Sequence, residues 1–187
     1  MKTLRGIIFL IPLLSIESIW AHQPTLSSYS KEDITIRGQS IQQAEKTIFE
    51  TVTAHPELST WVSMLTPIGL DTTLSNPQPF TVFVPTNQAF KKLTSGTMPH
   101  YFNANNLEKL ATTLKYHIVP GRMRLEDLKD GQKLRALNGE ELIVVKIGNT
   151  VRINGAKISQ PDIEASNGVI HVTDEVLLPG TEAVGNK

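Results

Sequence analysis

Five histidines are the residues of this 187-residue chain best suited to chemistry near neutral pH: His22, His55, His100, His117 and His171. Imidazole ordinarily titrates there and serves as base, acid or metal ligand. No two of the five stand at helical metal-ligand spacing, and the chain has no cysteine. Structural disulfides, thiolate zinc sites and thiol catalysis are thereby excluded. The Gly-x-Ser-x-Gly elbow, the His-Glu-x-x-His helix, the Gly-x-x-x-x-Gly-Lys loop and the Gly-x-Gly-x-x-Gly turn are all missing. The sequence predicts a protein that is not an enzyme and carries no cofactor and no metal. The enzymatic alternative is a hydrolase using His117 with an acid that folding brings beside it, since such sites are defined by geometry.

His117 lies in Leu114-Lys115-Tyr116-His117-Ile118-Val119, next to an aromatic and among apolar residues. That setting predicts a partly buried, neutral imidazole pinning a strand end to a neighbouring loop, with contact to a partner through Tyr116 and His117 as the alternative. His171 alternates with Ile170 along a strand and faces the opposite side of a sheet. In Ser159-Gln160-Pro161-Asp162-Ile163 the proline fixes an extended bend that offers an acid beside an apolar residue. Such a loop presents Pro161, Asp162 and Ile163 to a partner. Alternatively it is a turn whose Asp162 caps backbone amides while Ile163 packs inward.

These residues need a scaffold. Ser40 and Gln43 fit a capping box, followed by Ile41, Ala44, Ile48 and Val52 near helical spacing; His55-Pro56 ends that helix. Leu58, Trp61, Val62 and Leu65 mark a second, stopped by Pro67 and Gly69, so two helices precede the first strand, Phe80 to Val84. Thr86 caps a helix carrying Ala89, Phe90 and Leu93, and Asn105 or Asn106 caps another carrying Leu107, Leu110, Ala111 and Leu114. Farther on, Asn138-Gly139, Gly148-Asn149 and Asn154-Gly155 separate short β-rich runs. These turns predict an antiparallel meander with strands 133–137, 141–147, 150–153 and 156–158, closed by 168–172 and 175–178. Helices early and hairpins late give an α+β domain.

Eighteen basic residues balance eighteen acidic ones, which argues against a uniformly basic nucleic-acid binder, and 40% apolar content argues against a chain disordered throughout. Lys2 and Arg5, the apolar run Gly6 to Ile16 and the small residue Ala21 read as an export signal over residues 1–21. Pro12 and Glu17 interrupt the run, which is shorter than the roughly 20 residues that cross a bilayer. No membrane anchor is expected once the signal is removed. Residues 22–39 read as a flexible leader, 40–180 as one domain and 181–187 as a tail.

Three motifs then resemble one family. Pro79-Phe80-Thr81-Val82-Phe83-Val84-Pro85-Thr86-Asn87-Gln88-Ala89-Phe90 resembles the first signature of the fasciclin-like domain. Tyr116-His117-Ile118-Val119-Pro120-Gly121 is similar to its Tyr-His segment, and Asn167 to Pro179 to its second signature. The similarity runs from about Thr47 to Pro179. It implies a wedge of antiparallel strands packed with several helices, extracellular or surface exposure, and adhesion without an enzymatic site. In animal members, segments related to Tyr116-His117 and to Pro161-Asp162-Ile163 are connected with integrin recognition. Gln160 stands where that pattern has an acid and Glu164 where it has methionine, departures that count against integrin as the partner here.

The function expected is an exported, secreted or periplasmic adhesion module that binds a surface or matrix protein or a polysaccharide. A carrier of a small apolar ligand such as a pigment or lipid is the runner-up.

Overall fold

The computed structural model describes residues 46–93, 102 and 106–180; the signal, the leader, the tail and the Ser40–Gln43 capping box lie outside the described residues. A capping box does open the described fold, seven residues downstream of Ser40. Thr47 accepts from the Glu50 amide at 3.3 Å while the Glu50 carboxylate accepts from the Thr47 amide at 2.8 Å, starting α1 (Ile48–Thr53).

Among the described residues three α-helices, not two, precede the first strand. A 3-10 turn at Pro56–Leu58 leads into α2 (Ser59–Leu65), and a second at Thr66–Ile68 leads into α3 (Leu70–Ser75). Pro67 does not end the helical run, because it sits in the first turn of a helical segment, where no amide is required. Gly69, at φ 70°, takes the left-handed conformation that redirects the chain into α3.

β1 (Phe80–Pro85) is followed by α4 (Asn87–Lys91), capped by Thr86, and by α5 (Leu107–Tyr116), capped by Asn106. Asn87 reaches back from α4 to the start of α2, accepting from the Thr60 amide at 2.9 Å and donating to the Pro56 carbonyl at 3.0 Å. The remaining strands are β2 (Ile118–Pro120), β3 (Lys133–Arg135), β4 (Glu141–Ile147), β5 (Thr150–Ile153), β6 (Ala156–Ala165) and β7 (Gly168–Thr173).

The seven strands form one sheet in the order β2-β1-β7-β6-β5-β4-β3. Neighbours are antiparallel except β1 and β7, which run parallel from Phe80↔Gly168 to Pro85↔Thr173. The meander thus ends in a strand that returns beside the first. Its expected last strand, 175–178, is irregular: Thr173 donates its hydroxyl to the Glu175 carbonyl and the Leu177 amide goes to a histidine ring. The sheet curls almost closed, with the Leu137 amide donating to the Ile118 carbonyl at 2.8 Å.

Alternation along β1 divides the interior. Val82 and Val84 face the helical layer with Ile48, Trp61, Leu74, Leu114 and Ile170, while Phe83 faces into the curl with Val119, Leu128, Leu142 and Ile153. The layers meet at Gly168. A Cβ there would lie 2.0 Å from the Phe80 carbonyl oxygen and 2.6 Å from Ile48 Cδ1, so only glycine fits.

Candidate functional site

Helix α5 ends by delivering Tyr116 and His117 into the interior. Its apolar stripe, Leu110 and Leu114, is buried, so the next turn is drawn under the sheet. Tyr116 is 3% exposed; its hydroxyl donates to the Glu141 carbonyl at 3.2 Å and accepts from the Asn154 side chain at 2.6 Å. Burial, with Glu140 adding to it, raises this phenol above the usual tyrosine range.

His117 is fully buried, and both ring nitrogens are held by backbone. Nδ1 lies 2.9 Å from the Thr113 carbonyl, so it donates, and Nε2 accepts from the Leu177 amide at 3.1 Å. The imidazole thereby ties the end of α5 to the segment after β7. Burial pushes its pKa down to about 4, against a smaller upward pull from the Thr113 carbonyl. With both nitrogens engaged and no exposed atom, neither a substrate nor a partner reaches His117 without local unfolding. The same holds for the Tyr116 side chain.

Pro161, Asp162 and Ile163 lie within β6, not in a loop between strands. The sequence hid this because the strand is bulged: register passes from Gln160↔Val172 to Ile163↔Ile170, three steps on β6 against two on β7. The extra residue is accommodated by Asp162 at φ 58°, a left-handed conformation that aspartate tolerates better than most side chains. Pro161 and Asp162 are exposed, while Ile163 is half-buried against the helical core. Asp162 Oδ1 accepts from the Leu125 amide at 2.8 Å. The acid therefore caps a backbone amide and Ile163 turns inward, yet the outer side of the bulge stays open to solvent.

Beneath the bulge lies His171, which faces into the curl while Ile170 faces the helices. Its ring stacks on Phe83 with centroids 5.5 Å apart. Nε2 is 3.0 Å from the Met123 carbonyl, and Nδ1 is 3.3 Å from the Asp162 amide. Burial lowers its pKa, with the Met123 carbonyl and the Asp162 carboxylate pulling the other way.

Around the bulge is an open cleft of about 600 Å³. Arg124, Leu125 and Glu126 come from the loop after β2, Lys146 from β4, and Asp162 and Glu164 from β6. Glu164 bridges Arg122 at 2.9 Å and Arg124 at 2.8 Å. Arg122 also donates to the Ala165 carbonyl. The cleft opens because β5 pairs with β6 only at Arg152↔Lys157 and Ile153↔Ala156, after which the strands diverge. Sequence reasoning missed Arg124, Glu126 and Lys146, which lie far from Asp162 in the chain and carry no local signature. Among the described residues, no three His, Cys, Asp or Glu side chains gather as a metal site, and no helix is long and apolar enough to cross a membrane.

Comparison with known proteins identifies this architecture. The protein named sll1483 of Synechocystis is 36% identical over 148 residues, covering 79% of this chain and 82% of that protein. Human periostin is 33% identical over 155 residues, which are 82% of this chain but 18% of periostin. A FAS1 domain pair from the insect cell adhesion molecule fasciclin I superposes with a TM-score of 0.61 at 22% identity, covering 72% of this chain and 51% of that one. With the fasciclin domain family model matching residues 56–179, and with the helical layer, nearly closed sheet and buried Tyr-His pair in place, this chain belongs to the fasciclin domain family.

Proposed function

We propose that the protein is an exported, non-enzymatic interaction module that binds a protein or polysaccharide partner at the cell surface, in the matrix or in the periplasm, with Pro161 and Asp162 at the contact. The observation that carries this reading is the β6 bulge, which raises an exposed proline and a carboxylate at an open, charge-lined cleft. Recognition residues are commonly set at irregular points of a rigid scaffold, and a bulge in a sheet buried on its other face is such a point. Membership of a family that includes a cell adhesion molecule supports the same conclusion. Ile163 packs inward and positions its two neighbours. The cleft is open, and five of its nine lining residues are charged (Arg124, Glu126, Lys146, Asp162 and Glu164) beside the apolar Leu125 and Val151, unlike the largely apolar, ligand-enclosing pocket that a pigment or lipid carrier uses.

The test is retention of the full-length protein on cells and on immobilised matrix components. Asp162→Asn removes the charge while keeping an acceptor for the Leu125 amide and tolerating the left-handed backbone, and Pro161→Ala removes the exposed ring. Both are expected to weaken retention at least five-fold with little change in melting temperature. Unchanged retention in both variants removes the bulge from the contact, and absence of retention in the unaltered protein ends the adhesion reading.

A further inference from the structure

The hydrogen bonds around His171 fix its protonation state by elimination. The Met123 carbonyl can only accept, so Nε2 carries a proton; the Asp162 amide can only donate, so Nδ1 is bare. One neutral ring thus joins the loop after β2 to the β6 bulge. The Asp162 carboxylate completes the arrangement: Oδ1 sits 4.0 Å from the same Nδ1 while accepting from the Leu125 amide.

We propose that His171 is a proton-operated latch on the Pro161-Asp162 bulge, so that acidification reshapes the cleft and regulates the binding assigned above. This inference rests on that assignment only for its biological meaning. A proton arriving on Nδ1 turns an acceptor into a donor that faces the donating Asp162 amide, and that bond is lost. The new N–H instead attracts the Asp162 carboxylate, whose movement toward the ring loosens its hold on Leu125. Leu125 and Asp162 both line the cleft, so one protonation alters the loop and the bulge together.

The charges near the ring set the condition. From β6, Asp162 favours the cation; from β1, Phe83 presents only its ring; from the loop, Met123 presents its carbonyl. Arg122 and Arg124 are both paired with Glu164 on the exposed side. Burial opposes protonation, holding the ring below the ordinary histidine value. The latch therefore opens in acid, below about pH 6.5.

An NMR pH titration of the full-length protein tests this without a binding partner. The Leu125 and Asp162 amide resonances are expected to move with the midpoint of His171 Nδ1, and the protection of the Leu125 amide, its exchange rate relative to that of an unstructured amide at the same pH, to fall at least ten-fold below it. In Asp162→Asn the His171 midpoint should fall by half a unit or more, because the attracting charge is gone. Titration of His171 with both amides unmoved overturns the proposal, as does an unaltered midpoint in the variant. Loss of Val82 and Val84 amide protection at the same midpoint is global unfolding and overturns it too. Since all readouts are on the free protein, failure here leaves the retention assay untouched, and failure there leaves the latch standing.

Discussion

At the residue scale, His117 shows how one side chain acts as a rivet. Its ring satisfies a helix-end carbonyl and the amide of Leu177 in a place where neither has water to replace it. The folded pKa of about 4 lies below the ordinary value of 6.5, so the unfolded chain takes the proton first as the medium acidifies. Stability from this group is complete above about pH 6.5 and falls away toward pH 4, by roughly 3 kcal/mol at 1.36 kcal/mol per unit. Urea unfolding between pH 7 and pH 4 should show the loss. In His117→Gln, stability at pH 7 should be lower by about 1–3 kcal/mol, with a correspondingly flatter pH profile. An unchanged profile in the variant would assign the acid sensitivity elsewhere.

At the element scale, two adjacent residues of the first family signature do different work. Thr86 caps α4 by accepting from the Ala89 amide at 3.2 Å, a local task visible in the sequence. Asn87 has a role that no local pattern discloses, since its three hydrogen bonds go to Thr60 and Ser59 at the start of α2 and to Pro56 in the 3-10 turn before it. Replacing Thr86 by Ala should therefore cost about 1 kcal/mol, the worth of a cap. Asn87→Ala should cost more, about 2–3 kcal/mol, because it strands the part-buried Thr60 amide and removes all three ties at once, although the Pro56 carbonyl keeps the Ser59 amide. Thermal denaturation of the pair decides the order, and a larger effect at Thr86 would contradict it. Asn167 is a third case: its side chain accepts from the Ile48 amide and donates to the Leu74 and Asn76 carbonyls, joining α1 and α3 just before β7.

At the scale of the whole molecule, the helical layer and the sheet are fastened along β1 and β7, both buried at every position. Gly168 is where that seam is tightest, and Gly168→Ala is expected to destabilise by about 3 kcal/mol or more, or to prevent folding, because the new methyl meets backbone that cannot step aside. A melting temperature within 2–3 °C of the parent would disprove it. The sequence alone established what local chemistry dictates: the cap at Thr86, a second cap at one of Asn105 and Asn106, the Asn-Gly turns, the strands 141–147 and 150–153 with the starts of their neighbours at 133, 156 and 168 but not a strand at 175–178, the opposite facing of Ile170 and His171, and the three motifs that indicate the fasciclin domain. It could not foresee that β7 returns parallel to β1, because pairing between segments more than eighty residues apart leaves no trace in either one. Nor could it show that Pro161-Asp162 forms a bulge within a strand. Proline and a polar neighbour read as a loop by local propensity, and only the competing pull of β7 on both sides keeps the segment extended. The tertiary structure also decided which candidates face solvent. Tyr116 and His117 are drawn inside by the helix that precedes them, while Asp162 is raised outward because two strands of unequal length must stay in register.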